Sequence, residues 1–404
     1  MKHIQLKLIH IVKVFVILTM LFLTTACWSS REIEDLRAYL GIGIDVADET
    51  KFEKEVNMLG GHYPKKNILT ATVQVVPGVY GRSDQSQNTG SQTPETFFNE
   101  KLTGDSIFQI FRQFSLRRDR PIIGHHLKVV VVSRALCEKY GLEKILDFFL
   151  RDNDIRPSAL ILISQEKAMD VLSSSQPGEI PALNLKGLVN NRHRTNRILP
   201  PVSLSRLEAY MQSKRSFILQ NVITAENEIK FSGAAIFKGE ANQWIGQLNQ
   251  TDLESISYIS GTAKGGVLKT YDPENGQSIV YEVKSADSVI TPKVEGDKIS
   301  FHVSMRTTGE IMEDWSEPDR LVDEDYMNKL TTLFKKQCQK QIDETLYKLQ
   351  NKYRVDVVEF GNQLRIDHPK VWNRVKDHWD EVFSTAPITY DLEVDITDYG
   401  SAIH

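Results

Sequence analysis

Cys27 is the residue of this chain best placed for covalent chemistry. Ahead of it runs Val14–Ala26, thirteen uncharged residues ending in Leu23-Thr24-Thr25-Ala26, with Lys2, Lys7 and Lys13 on the other flank. A short apolar core behind a positive flank is the pattern of a cleaved export signal, short of a membrane span. A small residue followed at once by cysteine at the end of such a core resembles a bacterial lipobox, with Thr24 standing where leucine is usual. In that chemistry the Cys27 thiol takes a diacylglycerol, residues 1–26 are removed, and the new terminal amine is acylated. The alternative is an ordinary secretory signal with an unrelated cysteine beside it. One acyl chain anchors reversibly, whereas several chains at ~0.8 kcal/mol per buried CH₂ hold stably. The remaining 378 residues would then sit outside the cytoplasmic membrane, tethered at residue 27.

Other reactive side chains do not assemble into a site along the sequence. His125-His126 adjoin the start of a strand, where neighbouring side chains point to opposite faces and chelate poorly. His368 and His378 stand ten residues apart, too far to share a metal through one helical turn. No Gly-x-Ser-x-Gly elbow occurs, and the carboxylates Asp323, Glu324 and Asp325 read as a helix start. Cys137 and Cys338 fall in helical segments and read as buried or surface-lining thiols; a bridge between them needs Cα atoms within ~7 Å. Three cysteines make neither a disulfide framework nor a four-thiolate zinc site. The expectation is a protein without catalytic residues, metal or cofactor.

One stretch points to partners. Between Glu179 and Glu208 there is no acid, while Lys186, Arg192, Arg194, Arg197 and Arg206 are all basic. This is either a surface for anionic headgroups or an acidic partner, or a solvated loop. The rest of the chain opposes nucleic-acid binding: net charge is −4 overall, and −7 once the three lysines of residues 1–26 are removed.

The elements that must carry these residues follow from periodicity. At 404 residues, with 41% hydrophobic and 25% charged, the chain is folded and larger than one core usually carries. Tyr39–Val46 and Ile68–Val76 read as strands, with Gly41 and Gly43 in a tightly covered strand and not in a phosphate loop, since Asp45, Asp48 and Glu49 follow. Residues 81–94 lack any aliphatic or aromatic side chain and read as a loop. Ile107, Phe108, Ile110, Phe111 and Phe114 mark a helix. Leu127–Ser133 and Ser158–Ser164 are buried strands joined through a helix spanning Arg134–Leu150, which suggests parallel pairing. Later come a hairpin from Lys230–Lys238 to Gln243–Leu248 and two alternating strands, Ser278–Ser285 and Lys298–Arg306. A long amphipathic helix spans Glu324–Tyr353 with Leu330, Phe334, Cys338, Ile342, Leu346 and Leu349 on one face and Asp323 as its cap. A helix from Pro369 then carries Trp372 and Trp379 as core residues, before a last strand at Ile388–Ile396. The fold class is α+β and multidomain, with mixed and antiparallel sheets packed with helices. The divisions are a signal at 1–26, an N-terminal α+β region at 27–210, open to two subdomains, and a C-terminal α+β domain at 225–402.

Three groups of residues together resemble a known family. They are Cys27-Trp28 with Arg31-Glu32 and Gly41-Ile-Gly43-Ile-Asp45; Pro121–Lys128 through Leu146–Arg156; and Ser232–Lys238, Phe360–Leu364, His368–Trp372 and Trp379–Phe383. Their order and spacing over about 350 residues resemble the Ger(x)C family, the lipoprotein C subunits of spore nutrient-germinant receptors in Bacillus and relatives. The resemblance implies several α+β domains and a non-enzymatic subunit anchored through Cys27 on the outer face of the inner spore membrane. It also implies two integral-membrane partners, the A- and B-type receptor subunits. The competing reading from residues alone, a solute-binding lipoprotein of a transporter, requires two doubly wound lobes.

Overall fold

Strand β1 (Arg37–Val46) organises the first half of the molecule because its two faces differ. Ile42 and Ile44 enter one core, while Gly41 and Gly43 lie under helices on the other side. A Cβ on Gly41 would lie 3.0 Å from Ala182 Cβ and from Leu172 Cδ2, so the helices sit directly on the backbone. The glycines therefore permit close covering, as their strand context suggested. The computed structural model describes residues 37–76, 96–174, 176–317 and 323–398, together with Lys13 and Leu321. The export signal, Cys27 and the loop 81–94 lie outside the described residues.

After helix α1 (Lys51–Met58) come β2 (Leu69–Val75), β3 (Phe98–Gly104), α2 (Ile107–Phe114), the short β4 (Ile122–Ile123) and β5 (Val129–Ser133). Then follow α3 (Arg134–Cys137), α4 (Leu142–Arg151), β6 (Leu160–Ser164), α5 (Ala168–Ser173), α6 (Pro181–Leu188), α7 (Leu204–Gln212), β7 (Phe217–Ala225), β8 (Glu228–Lys238) and β9 (Gln243–Leu248). These strands form one sheet in the order β3-β2-β1-β5-β6-β7-β8-β9, with β4 beside β1. Its centre, β1-β5-β6-β7, is parallel and its flanks are antiparallel. Val130, Val132, Ile161 and Ile163 face one core; Val129, Val131, Leu160 and Leu162 face the other. Burial on both faces is why β5 and β6 read as unbroken apolar runs.

The expected helix over Arg134–Leu150 is broken. Helix α3 stops at Cys137, and α4 begins after Gly141, where the Leu142 N–H donates to Asn242 O at 2.8 Å. A Cβ on Gly141 would meet Ala241 O at 2.9 Å, so the β8–β9 turn presses against this break. Strands β7 and β8 are joined by Glu226 and Asn227, both left-handed with φ of 49° and 66°, the conformation of a tight two-residue hairpin.

The second half adds α8 (Gln250–Ile259), β10 (Gly266–Tyr271), β11 (Ser278–Glu295), β12 (Lys298–Asp314), α9 (Glu324–Tyr347), α10 (Phe360–Asp367), α11 (Pro369–Val375), α12 (Trp379–Thr385) and β13 (Ile388–Asp398). Its sheet runs β10-β11-β12-β13, antiparallel except for the parallel β12–β13 pair. Asp323 caps α9 by accepting from the Asp325 N–H at 3.0 Å. The stripe Leu330, Phe334, Cys338, Ile342, Leu346 and Leu349 is buried as expected, with Phe334 against Tyr281. Beyond Tyr347 the helix widens into a π turn over Lys348–Tyr353. Ile218, Ala234, Ile236 and Leu248 of the first sheet share this second core. The architecture is α+β with mixed sheets and helices, as the patterning indicated.

The final helical region departs from the single helix expected after Pro369. A 3₁₀ turn over Lys376–His378 separates α11 from α12. Trp379 is buried against Phe301 and Phe383, while Trp372 is half-buried and meets Trp379 edge-on at 5.4 Å. Only the second tryptophan is fully a core residue.

Candidate interaction surface and the cleft beside it

The basic stretch is ordered, although Pro181, Pro200 and Pro201 fall within it. Pro181 opens α6 at its first turn, where a missing N–H costs nothing, and the helix runs into a 3₁₀ turn over Val189–His193. Lys186 projects from α6 into solvent, and Arg194 is exposed just past the 3₁₀ turn. Neither has an acidic partner among the described residues. Arg206 lies on α7, exposed, its Nε donating to the Tyr210 hydroxyl at 2.7 Å.

Arg197 and Arg192 behave differently. Arg197 Nε pairs with Glu254, a carboxylate on α8 whose side chain is 4% exposed. Burial pushes the Glu254 carboxyl up, and Arg197 pulls against that shift. The charge reading along the chain missed this neutralisation because the acid lies 57 residues away. Arg192 is half-buried; its guanidinium reaches Thr262 O at 3.5 Å, and its Nε is buried without a hydrogen-bond partner. Burial and the neighbouring Arg206 charge push the Arg192 guanidinium down.

Arg192 and Arg206 line one side of a cleft of about 290 Å³ between the two halves of the chain. Ile198, Leu199, Val202 and Ile218 add apolar wall from the first half, and Ile256, Thr262, Lys264 and Val357 come from the second. A smaller cavity of about 200 Å³ lies beyond the carboxyl ends of β1 and β5, lined by Asp45, Thr72, Lys101 and Ser133 among others. There Asp45 is buried and accepts the Ala168 and Met169 N–H groups at the start of α5, at 2.7 and 3.0 Å.

Among the described residues no three histidine, cysteine or acidic side chains gather as metal ligands. His125 faces Asp154 across 3.6 Å, and His368 precedes α11 without a capping hydrogen bond from its side chain. Cys137 and Cys338 are free and buried, with desolvation pushing both thiols up, Cys338 to about 12.

The sequence missed a polar centre in the second half. Asp356, 8% exposed, accepts the backbone N–H groups of Val358, Glu359, Phe360 and Gly361 at 2.7–3.3 Å, and the Trp379 Nε1–H at 2.9 Å. It fastens the start of α10 to α12. An aspartate one turn before Phe360-Gly361 is the signal that could have revealed it.

A chain of two mixed sheets, with this order of elements and without an assembled catalytic constellation among the described residues, belongs to the Ger(x)C family of spore germination proteins. Residues 29–224 match the spore germination protein N-terminal domain, and residues 232–400 match the family described as spore germination B3/GerAC like, C-terminal. It is 40% identical over 388 residues to spore germination protein YndF of Bacillus subtilis (strain 168), covering 96% of each chain. It is 29% identical over 392 residues to spore germination protein B3 of the same organism, covering 96% of this chain and 98% of that one. The crystal structure of the GerBC protein superposes with a TM-score of 0.60 at 26% identity, over 88% of this chain and 97% of that one.

Proposed function

We propose that this chain is the lipid-anchored subunit of a spore germinant receptor and acts in nutrient-triggered germination through protein contacts. The observation that carries this reading is end-to-end similarity to proteins named for spore germination, among them A3, B3 and KC. The anchor is the acylated Cys27, which places the body on the outer face of the inner spore membrane. Two integral-membrane subunits, of the A and B types, are its partners. No helix of the described residues is long and apolar enough to cross a membrane, so the tether carries the attachment of the body in this reading. The exposed cations Lys186, Arg194 and Arg206 form the face that meets an acidic partner segment or the anionic headgroups. Each cation near such a surface adds ~1 kcal/mol, screened within a Debye length, so the face orients a body already tethered.

Cys27→Ala tests the reading at its root. In cells lacking the other two receptor subunits, the variant should lose membrane fractionation and leave an unprocessed or soluble form. Normal processing and normal membrane partition of that variant would refute the anchor. Spores carrying it should also respond slowly to nutrient, with subunit level fixed by immunoblot.

A further inference from the structure

We propose that the cleft between the two sheets binds a small organic anion, a carboxylate carried on a short apolar body. Arg192 sets the charge. It is the half-buried cation of the basic stretch, and no carboxylate among the described residues pairs with it. Acids are available nearby and are used elsewhere: Glu254 takes Arg197, and Glu359, which also lines the cleft, takes Arg215 at 3.5 Å. The charged neighbour that Arg192 does feel is Arg206, of like sign. A partly desolvated guanidinium facing a second cation is costly unless an opposite charge joins them. A carboxylate seated between Arg192 and Arg206 removes both the repulsion and the orphaned Nε–H, with the short charge-assisted bonds that guanidinium favours.

The remaining lining narrows the class. Asn196 is buried on the same wall, its amide beside Gly266 and the Tyr258 hydroxyl, and adds a neutral polar group there. Lys264 stands exposed on the side of the second half. The rest of the surface is branched and apolar, including Ile198, Val202, Ile218 and Ile256. A volume of about 290 Å³ suits a small molecule, and clefts between domains are where such ligands favour binding. Because the walls come from both halves of the chain, the ligand would tie them together. This inference does not depend on the anchor or on the receptor assignment, and its failure would leave both standing.

Isothermal titration of the full chain in nonionic detergent with isocaproate, isocaproamide and inorganic phosphate tests it. Isocaproate should bind saturably, and the uncharged amide should bind weaker by on the order of tenfold, ~1.4 kcal/mol. Arg192→Gln and Arg206→Gln should each weaken isocaproate by a similar factor without lowering the thermal midpoint measured in the absence of ligand, because each relieves the unpaired repulsion. Hydrogen exchange on the unsubstituted protein gives a readout free of folding effects: isocaproate should slow amides in residues 192–199 and 256–264 above others. Equal binding of acid and amide, binding indifferent to both substitutions, or no saturable isocaproate binding with unchanged exchange would each overturn the proposal. Phosphate binding tighter than isocaproate would overturn the carboxylate assignment.

Discussion

Asp356→Asn is the substitution whose cost can be worked most directly from the structure. The two side chains have the same shape, so packing is conserved and only the acceptor count changes. Asp356 Oδ1 accepts three backbone N–H groups, and Oδ2 accepts the Gly361 N–H and the Trp379 indole. Asparagine must turn its NH₂ toward one set or the other. In the better orientation it keeps the three donors at Oδ1 and faces two donors with a donor. Each buried donor left unsatisfied costs about 1–3 kcal/mol, so the gross loss is about 2–6 kcal/mol. Removing the desolvation cost of a buried carboxylate offsets part of this, and a net loss of about 3 kcal/mol is expected. Trp379→Phe deletes one donor and leaves the carboxylate four others, so its polar part should cost only about 1 kcal/mol. Urea unfolding followed by tryptophan fluorescence, with native-state hydrogen exchange at Val358–Gly361, separates the global from the local effect. An Asp356→Asn protein within ~0.5 kcal/mol of the parent, the scale of a neutral surface change, would refute the account, as would unaltered exchange at Gly361.

Trp379→Ala should destabilise by about 3–5 kcal/mol and Trp372→Ala by less than half of that, because only Trp379 is fully enclosed; equal urea midpoints for the two would contradict the placement. Burial holds the Asp45 carboxyl above its usual range, so the unfolded chain releases this proton first and Asp45 weakens the fold as pH rises from about 4. Asp45→Asn should therefore gain on the parent between pH 4 and neutrality, and parallel urea profiles across that range would count against the argument. Reversal of the exposed pair, Lys186→Glu with Arg194→Glu, should leave folding intact and slow germination at equal protein level, whereas a response like the parent's would reduce the stretch to a solvated surface. Arg197→Glu belongs outside that set, since it would set glutamate against the buried Glu254 and lower the thermal midpoint.

Where a segment's surroundings are uniform along it, its sequence described it well. Val129–Ser133 and Leu160–Ser164 are enclosed on both faces, and the α9 stripe meets one continuous wall, so composition and period matched the fold. Long-range contacts defeated the same reasoning elsewhere. Helix α8 carries Asp252, Glu254, Ser255 and Ser257 into the interior, which erases any amphipathic pattern. Asp252 is tolerable there because Thr345 and Lys348 reach it at 3.1 and 2.6 Å from α9 and the turn after it. Strand β7 holds buried Gln220 and Asn221, with Gln220 bonded to Leu199 N–H and Gly233 O. The basic stretch was visible as charge, but its division into a clamp, a cleft lining and an exposed face depends on Glu254 and Thr262. Those partners lie far along the chain.

The two-residue turn at Glu226-Asn227 has a bearing on how the protein can be taken apart. The family segments meet beside it, one ending at residue 224 and the other beginning at residue 232. Yet β7 and β8 on either side are paired rungs of one sheet, and β9 closes its edge. Severing the backbone there would give two fragments with complementary bare edges, β7 on one and β8 on the other. Each alone would offer an unprotected ladder of N–H and C=O groups, the usual start of self-association. Made together, the halves should find each other and zip, as split reporters do. The same geometry gives neighbouring copies a route to trade hairpins, and a two-residue turn that holds Glu226 left-handed invites that exchange.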